Sequence, residues 1–215
     1  MKNQTTRNGF IGSLTAIALI VGLTPAVQAA TTANSNLTQT INAGVLSTSI
    51  LDAGGSVVAS PSFAMTAGTV STSAGQTVTG TFGSNTQRIT VDNPGASNTG
   101  FTLTLAATTG PTATWTNGTN TYPFNAGTSA AGQLTVNATP GTLTPVVGTA
   151  TGITKGTTAT FSGGTNTPVS LLNAGATSDD VWNGYLTGVT LSQTIPAATP
   201  AGSYTIGLTQ TVTAQ

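Results

Sequence analysis

The stretch Gly202–Gln215 alternates between apolar and threonine side chains, and this period of two constrains the fold more than any other feature. Tyr204, Ile206, Leu208 and Val212 share one parity, whereas the opposite parity is rich in threonine. Successive side chains of a strand point to opposite faces, so this pattern is typical of a strand with one buried face. We therefore expect a strand here. Its threonine face is the first place to look for contact with another chain.

Similar short alternating runs recur along the chain, and none shows helical periodicity over three turns. The clearest are Gln87–Asp92 and Gly100–Leu105, which we expect to form a hairpin around the turn signal Asn93-Pro94-Gly95. Much of the polar material is threonine, a β-branched residue that favours strands. The sequence therefore predicts an all-β fold, an Ig-like or Greek-key β-sandwich of about ten short strands forming a single domain over residues 37–215.

The segment that opens this predicted domain also alternates. Leu37, Gln39 and Ile41 have polar neighbours, and Asn42-Ala43-Gly44 is a turn or bulge signal. We expect a pair of strands around that signal.

Residues 1–29 have the three parts of an export signal peptide. Lys2 and Arg7 form a positive n-region, an apolar h-region follows, and Val27-Gln28-Ala29 has the small-x-small pattern of a cleavage site. We expect cleavage after Ala29, followed by a flexible segment over residues 30–36. The apolar run is short for a membrane anchor, so we expect no stable membrane span after cleavage. These features predict a secreted, extracellular protein.

The scarcity of charge excludes several classes of function. Charged residues make up 4% of the chain, and after signal cleavage Arg88 and Lys155 are the only cations. Nucleic-acid binding needs several cations against the phosphate backbone, so we expect no nucleic-acid partner. The chain has no cysteine and no histidine. Disulfides, thiol nucleophiles and Ser-His-Asp constellations are therefore absent from its chemistry.

Asp179-Asp180 is the only adjacent pair of acids. Two carboxylates in a loop could join carbonyl oxygens around calcium, but only Ser178 and Asn183 lie nearby as further ligands. Adjacent carboxylates also cannot flank a glycosidic bond from opposite sides, as glycosidases require. We favour a solvated turn and expect no metal site, no cofactor and no catalytic residue.

Large aromatic residues are the remaining candidates for a binding site. Trp115, Trp182 and Tyr185 lie outside the regularly alternating strands, Trp115 in a less regular region with one short strand near residues 113–116, and they could stack on carbohydrate at the surface. The alternative is that each is a core residue covering an end of the sandwich.

The order of motifs resembles the WxL-domain group of bacterial cell-surface proteins. The similar motifs include Ile41–Ser47, Ile89–Asn93, Gly100–Leu103 and Gly202–Thr209. The Trp-x-Leu signature itself is absent, because the last strand has Gln210-Thr211-Val212 in its place. Members of this group attach non-covalently to the cell wall, so the resemblance implies a protein associated with the wall or surface.

Three hypotheses of function remain. The first is a secreted, non-enzymatic cell-surface protein with a structural or adhesive role, which binds cell-wall polymer or other surface proteins. The second is a self-assembling filament or surface-layer subunit, in which the segment near Leu37–Ile41 adds as a strand to an exposed edge of another copy. The third, an enzyme, would depend on the four aspartates alone, and we do not favour it.

Overall fold

The computed structural model describes residues 36–96 and 99–215. The expected signal peptide over residues 1–29, its cleavage site at Ala29 and nearly all of the expected flexible segment 30–36 lie outside the described residues. The chain divides into two compact units, and the second unit, Ile41–Gln215, contains all of the described strands.

The described chain is an all-β sandwich, as the sequence predicts. Fourteen strands form within it. They are β1 (Ser47–Leu51), β2 (Gln76–Phe82), β3 (Arg88–Pro94), β4 (Phe101–Ala107), β5 (Thr114–Thr116), β6 (Thr121–Pro123), β7 (Leu134–Asn137), β8 (Thr142–Val147), β9 (Ile153–Lys155), β10 (Ala159–Thr160), β11 (Val169–Ala174), β12 (Val181–Thr187), β13 (Val189–Ile195) and β14 (Leu208–Ala214).

All pairings between these strands are antiparallel. One sheet has the order β1-β3-β12-β8, a second β10-β7-β13-β2 and a third β14-β4-β11-β9, while β5 and β6 form a two-stranded ribbon. A single hydrophobic core joins residues from all three larger sheets. In β4 the pattern of burial is strictly alternating, with Phe101, Leu103 and Leu105 inward and threonines between them. The period of two seen in the sequence therefore corresponds to a buried face.

Three details of the sequence prediction are wrong. The strands number fourteen rather than about ten, because pieces of two or three residues such as β9 and β10 are too short to show a period. The expected hairpin of β3 and β4 does not form, since β3 pairs with β1 and β12 whereas β4 pairs with β14 and β11. The strand pair expected around residues 42–44 is also absent, because no strand begins before Ser47 among the described residues.

The closing strand β14 lies at the edge of its sheet. It pairs only with β4, in a register that places Leu208 opposite Ala107 and Ala214 opposite Phe101. Leu208, Gln210 and Val212 are half-buried, and the threonines between them are exposed. This alternation confirms the one-sided burial predicted from the sequence.

Candidate functional site

A groove of about 700 Å³, lined by apolar, aromatic and neutral polar side chains, lies between β2, at the edge of one sheet, and the residues that lead into β14. Val78, Leu191 and Ile195 from β2 and β13 line one side, and Ile206 and Leu208 line the other. We call this the β2–β14 groove. Residues 61–68 line a further part of it, next to β2, where Thr66 donates its backbone N–H to the backbone oxygen of Thr79 at 2.6 Å.

Aromatic rings line two parts of the groove. Phe63 packs edge-on against Phe82, with ring centroids 4.7 Å apart. Trp115 of β5 stacks on Tyr122 of β6 at 6.0 Å, and the ring of Tyr204 lies 5.1 Å from that of Tyr122. The Trp115–Tyr122–Tyr204 cluster therefore gives part of the groove an aromatic wall.

A buried glutamine fixes the position of Trp115. Gln193 is fully buried in β13, and its Oε1 accepts a hydrogen bond of 2.9 Å from Nε1 of Trp115. Its Nε2 donates to the backbone oxygen of Thr194 at 2.8 Å. Because both ends of the amide have partners, Gln193 can remain in an apolar core. The sequence places Gln193 in a predicted strand but gives no signal of this contact.

The phenol of Tyr122 is held in its neutral form. Burial, together with the nearby phenol of Tyr204, raises the pKa of Tyr122 from 10.0 to about 12. Loss of its proton is therefore disfavoured near neutral pH, and Tyr122 is not suited to act as a general base there.

No charged residue lines the groove, in the part of the chain that the structure describes. The aspartates instead make local contacts in loops and on strands. Asp52 Oδ1 accepts the backbone N–H groups of Gly54 and Ser56 at 2.8 and 2.9 Å. Asp92 Oδ1 accepts from the side chain of Asn183 at 3.1 Å.

The adjacent acids Asp179 and Asp180 do not act as a pair. Asp179 Oδ2 accepts hydrogen bonds from the backbone N and the Oγ1 of Thr149, at 2.6 and 3.0 Å. Asp180 is exposed. Within residues 36–96 and 99–215, no group of three or more acidic, histidine or cysteine side chains could hold a metal ion.

Trp182 is not a surface residue, and its assignment as a surface-binding aromatic is wrong. It is 0% exposed, its ring centroid lies 5.6 Å from that of Phe101, and its Nε1 donates to the backbone oxygen of Thr149 at 2.8 Å. The ring packs between the sheet of β12 and the sheet of β4. Burial is favoured because the large apolar ring is removed from water while its N–H retains a partner.

The other two aromatic candidates also lie in strands rather than loops. Tyr185 lies three residues after Trp182 in β12, so the two side chains point to opposite faces of the strand. The guanidinium of Arg88 lies 4.4 Å from the centre of the Tyr185 ring, which covers one ring face. Trp115 is half-buried and lines the groove. The structure therefore does not bring Trp115, Trp182 and Tyr185 into one platform.

The groove is bordered by an unpaired strand edge. The backbone N–H and C=O of Thr205 both bond to Thr116, and Gly207 accepts from Thr108. Backbone groups of neighbouring strand residues point to opposite sides, so those of Tyr204, Ile206 and Leu208 point away from these partners. Among the described residues, none donates to or accepts from the backbone of Ile206. The sequence predicted the side-chain alternation here but not this open edge.

Within the described residues, no helix is long and apolar enough to cross a membrane. Comparison with known proteins finds no matching family model, no matching curated protein and no matching solved structure.

Proposed function

We propose that this chain is an exported, non-enzymatic protein of the cell surface with a structural role, and that it acts by holding an elongated partner in the β2–β14 groove. The observation that carries the proposal is the chemistry of the groove. It is lined by apolar and aromatic side chains together with neutral polar ones, and by no charged residue among those described. Such a surface supplies binding energy by burial of its apolar side chains and hydrogen-bonding groups from its hydroxyls and amides, and its described lining residues include no carboxylate, histidine or cysteine.

Two features of the sequence support the location. Residues 1–29 carry the pattern of a signal peptide. The order of motifs from Ile41–Ser47 to Gly202–Thr209 resembles WxL-domain proteins, which act at the cell surface.

A second candidate is binding of cell-wall polymer in the same groove. The Trp115–Tyr122–Tyr204 cluster favours it, because aromatic rings stack on the apolar faces of sugar rings. This candidate predicts that the purified protein sediments with isolated cell walls, and that Tyr204→Ala lowers the bound fraction while Tyr185→Ala does not.

The location is tested by fractionating the producing cells and detecting the native protein in each fraction. We expect it in the wall or surface fraction, without its first 29 residues. Recovery from the cytosol with an intact N-terminus would contradict export, and recovery only as a free protein in the medium would contradict a surface role.

A further inference from the structure

We propose that the β2–β14 groove is filled by the segment Leu37–Val45 of a second copy of this chain, which pairs with the open backbone edge at Tyr204–Val212. This inference rests on the structural role proposed above and names the partner. Repetition of this head-to-tail contact from copy to copy would build a filament, provided that the rotation between copies does not close into a ring.

The donor segment is exposed where its apolar side chains would normally be covered. Leu37, Ile41 and Val45 are 96%, 87% and 80% exposed. All residues from 36 to 45 are exposed, and none belongs to a strand. Exposing three large aliphatic side chains in one stretch to water is unfavourable in free energy, and such a stretch indicates a surface that a partner covers.

The spacing of these side chains suits a strand. Leu37, Gln39, Ile41, Ala43 and Val45 share one parity, so an extended Leu37–Val45 would present its aliphatic side chains on a single face. Thr38, Thr40, Asn42 and Gly44 would form the other face. The segment therefore has the two faces of a strand, although the only described backbone bond it makes to a sheet is that of Gly44 to Pro94.

The acceptor edge has the complementary pattern. Tyr204, Ile206, Leu208, Gln210 and Val212 are half-buried, and the residues between them are exposed. The backbone groups of Gly207 and Gln215 bond to Thr108 and Gly100, which flank β4. Because backbone groups alternate in direction along a strand, the odd-numbered residues of β14 point their N–H and C=O groups toward β4. The N–H and C=O groups of the even residues therefore face the open edge. An unpaired row of this kind is a template for another strand.

The groove and the donor also match in chemistry and length. Neither carries a charged residue, so no charge has to be desolvated when they meet. At about 3.3 Å per residue, Leu37–Val45 and Tyr204–Val212 have the same extended length.

The path of the chain favours a second copy over the chain's own segment. Gly44 donates its backbone N–H to Pro94 at 2.9 Å, at one end of β3. Pro94 does not line the groove, and residues 41–45 are exposed, so this part of the chain's own segment does not occupy the groove. The groove is therefore left to the segment of a second copy.

Cysteine cross-linking tests the contact directly, because the chain contains no cysteine. The mature proteins carrying Ile41→Cys and Ile206→Cys are mixed and oxidised, and disulfide-linked heterodimers are measured by mass spectrometry. We expect several-fold more heterodimer than in a mixture of Ile41→Cys with Val181→Cys. Val181 is exposed on β12 and lies outside the groove, so it reports random collision.

Three results would overturn the proposal. Equal heterodimer in both mixtures would mean that the segment does not select the groove. An intramolecular disulfide in a monomeric Ile41→Cys/Ile206→Cys double variant would mean that the segment fills its own groove. Blocking of the heterodimer by soluble cell-wall fragments, with no polymers at any concentration, would assign the groove to wall polymer instead.

Assembly is tested with a matched pair of charge variants. Negative-stain microscopy and light scattering follow the wild-type protein, Ile41→Asp and Thr40→Asp as concentration rises. We expect polymers from the wild type and from Thr40→Asp and none from Ile41→Asp, since only position 41 would be buried in the contact. Loss of polymers in both variants, or in neither, contradicts the proposal. A protein found in the surface fraction that stays monomeric would refute this inference and leave the surface role intact.

Discussion

At the scale of single residues, the burial of Trp182 depends on glycines around its ring. A Cβ atom added at Gly184 would lie 2.6 Å from two ring atoms of Trp182, and one added at Gly148 would lie 3.0 Å from a third. A real Cβ essentially never lies as close as at Gly184, and the contact at Gly148 would be tighter than most, so the two glycines leave the space that the ring occupies. The role of Trp182 is therefore packing between two sheets.

The packing role of Trp182 leads to a stability prediction. We expect Trp182→Ala to lower the free energy of unfolding by about 3–5 kcal/mol, the usual range for removing a buried tryptophan. Chemical denaturation measures the change. Val181→Ala is the control, because Val181 is 56% exposed in the same strand and should change stability little. A Trp182 variant as stable as the Val181 variant would contradict the packing assigned here.

Ionisation of Tyr122 is expected to lower the stability of the folded protein at high pH. Its pKa is raised from 10.0 to about 12 by burial and by Tyr204. Between these values the unfolded chain releases the phenolic proton while the folded chain keeps it, so stability falls as pH rises through this window. We expect Tyr122→Phe to remove part of that fall, measured as denaturation midpoints below and within the window. If the denaturation midpoint falls with pH as steeply in Tyr122→Phe as in the wild type, the loss of stability is due to other groups.

At the scale of elements, the closing strand β14 both completes a sheet and leaves an edge. One backbone side bonds to β4, and Leu208 and Val212 pack against the core while threonines face outward. The sequence predicted this one-sided burial from the alternation. It did not predict that β14 is an edge strand, because the neighbours of a strand depend on residues far away in the chain.

Removal of β14 should be far more harmful than removal of the exposed segment. Deleting residues 208–215 would leave β4, whose Phe101, Leu103 and Leu105 are buried, as the new edge of its sheet. We expect loss of cooperative unfolding, since typical domains have only about 5–15 kcal/mol of stability in total. Deleting residues 36–40 is the control and should leave the denaturation midpoint unchanged, because these residues are exposed. Circular dichroism during denaturation measures both, and equal effects would contradict the assignment.

At the scale of the whole molecule, stability comes from apolar burial with very little help from charge. Arg88 and Lys155 are the only cations in the described residues, and the ammonium of Lys155 donates to the backbone oxygens of Thr139 and Gly141 at 2.6 and 2.5 Å. Arg88 covers the ring of Tyr185. Both cations therefore contact neutral groups.

This charge distribution predicts weak salt dependence. In sodium chloride of about 1 M the screening length falls to about 3 Å, which removes most interactions between exposed charges. We expect the free energy of unfolding to change by less than about 1 kcal/mol between low and high salt, because exposed ion pairs contribute little even where they exist. Denaturant titrations at the two salt concentrations provide the measurement. A large loss of stability in salt would reveal a charge network that the described contacts do not contain.

The sequence by itself determined the class of fold and the burial of individual strand faces. Alternation in β4 and β14 needs only local information, since neighbouring side chains of any strand point to opposite faces. The near absence of charge is likewise a property of the sequence alone, and it predicts that nucleic acid is not a partner.

Only the tertiary structure decided which strands are neighbours and which aromatics are buried. β3 and β4 follow each other in sequence but lie in different sheets, and Trp182 fills the space between those sheets. The groove is formed by β2 and the residues before β14, which are about 120 residues apart in the sequence but line the same cleft. Such contacts depend on how whole sheets pack, so no local pattern in the sequence encodes them.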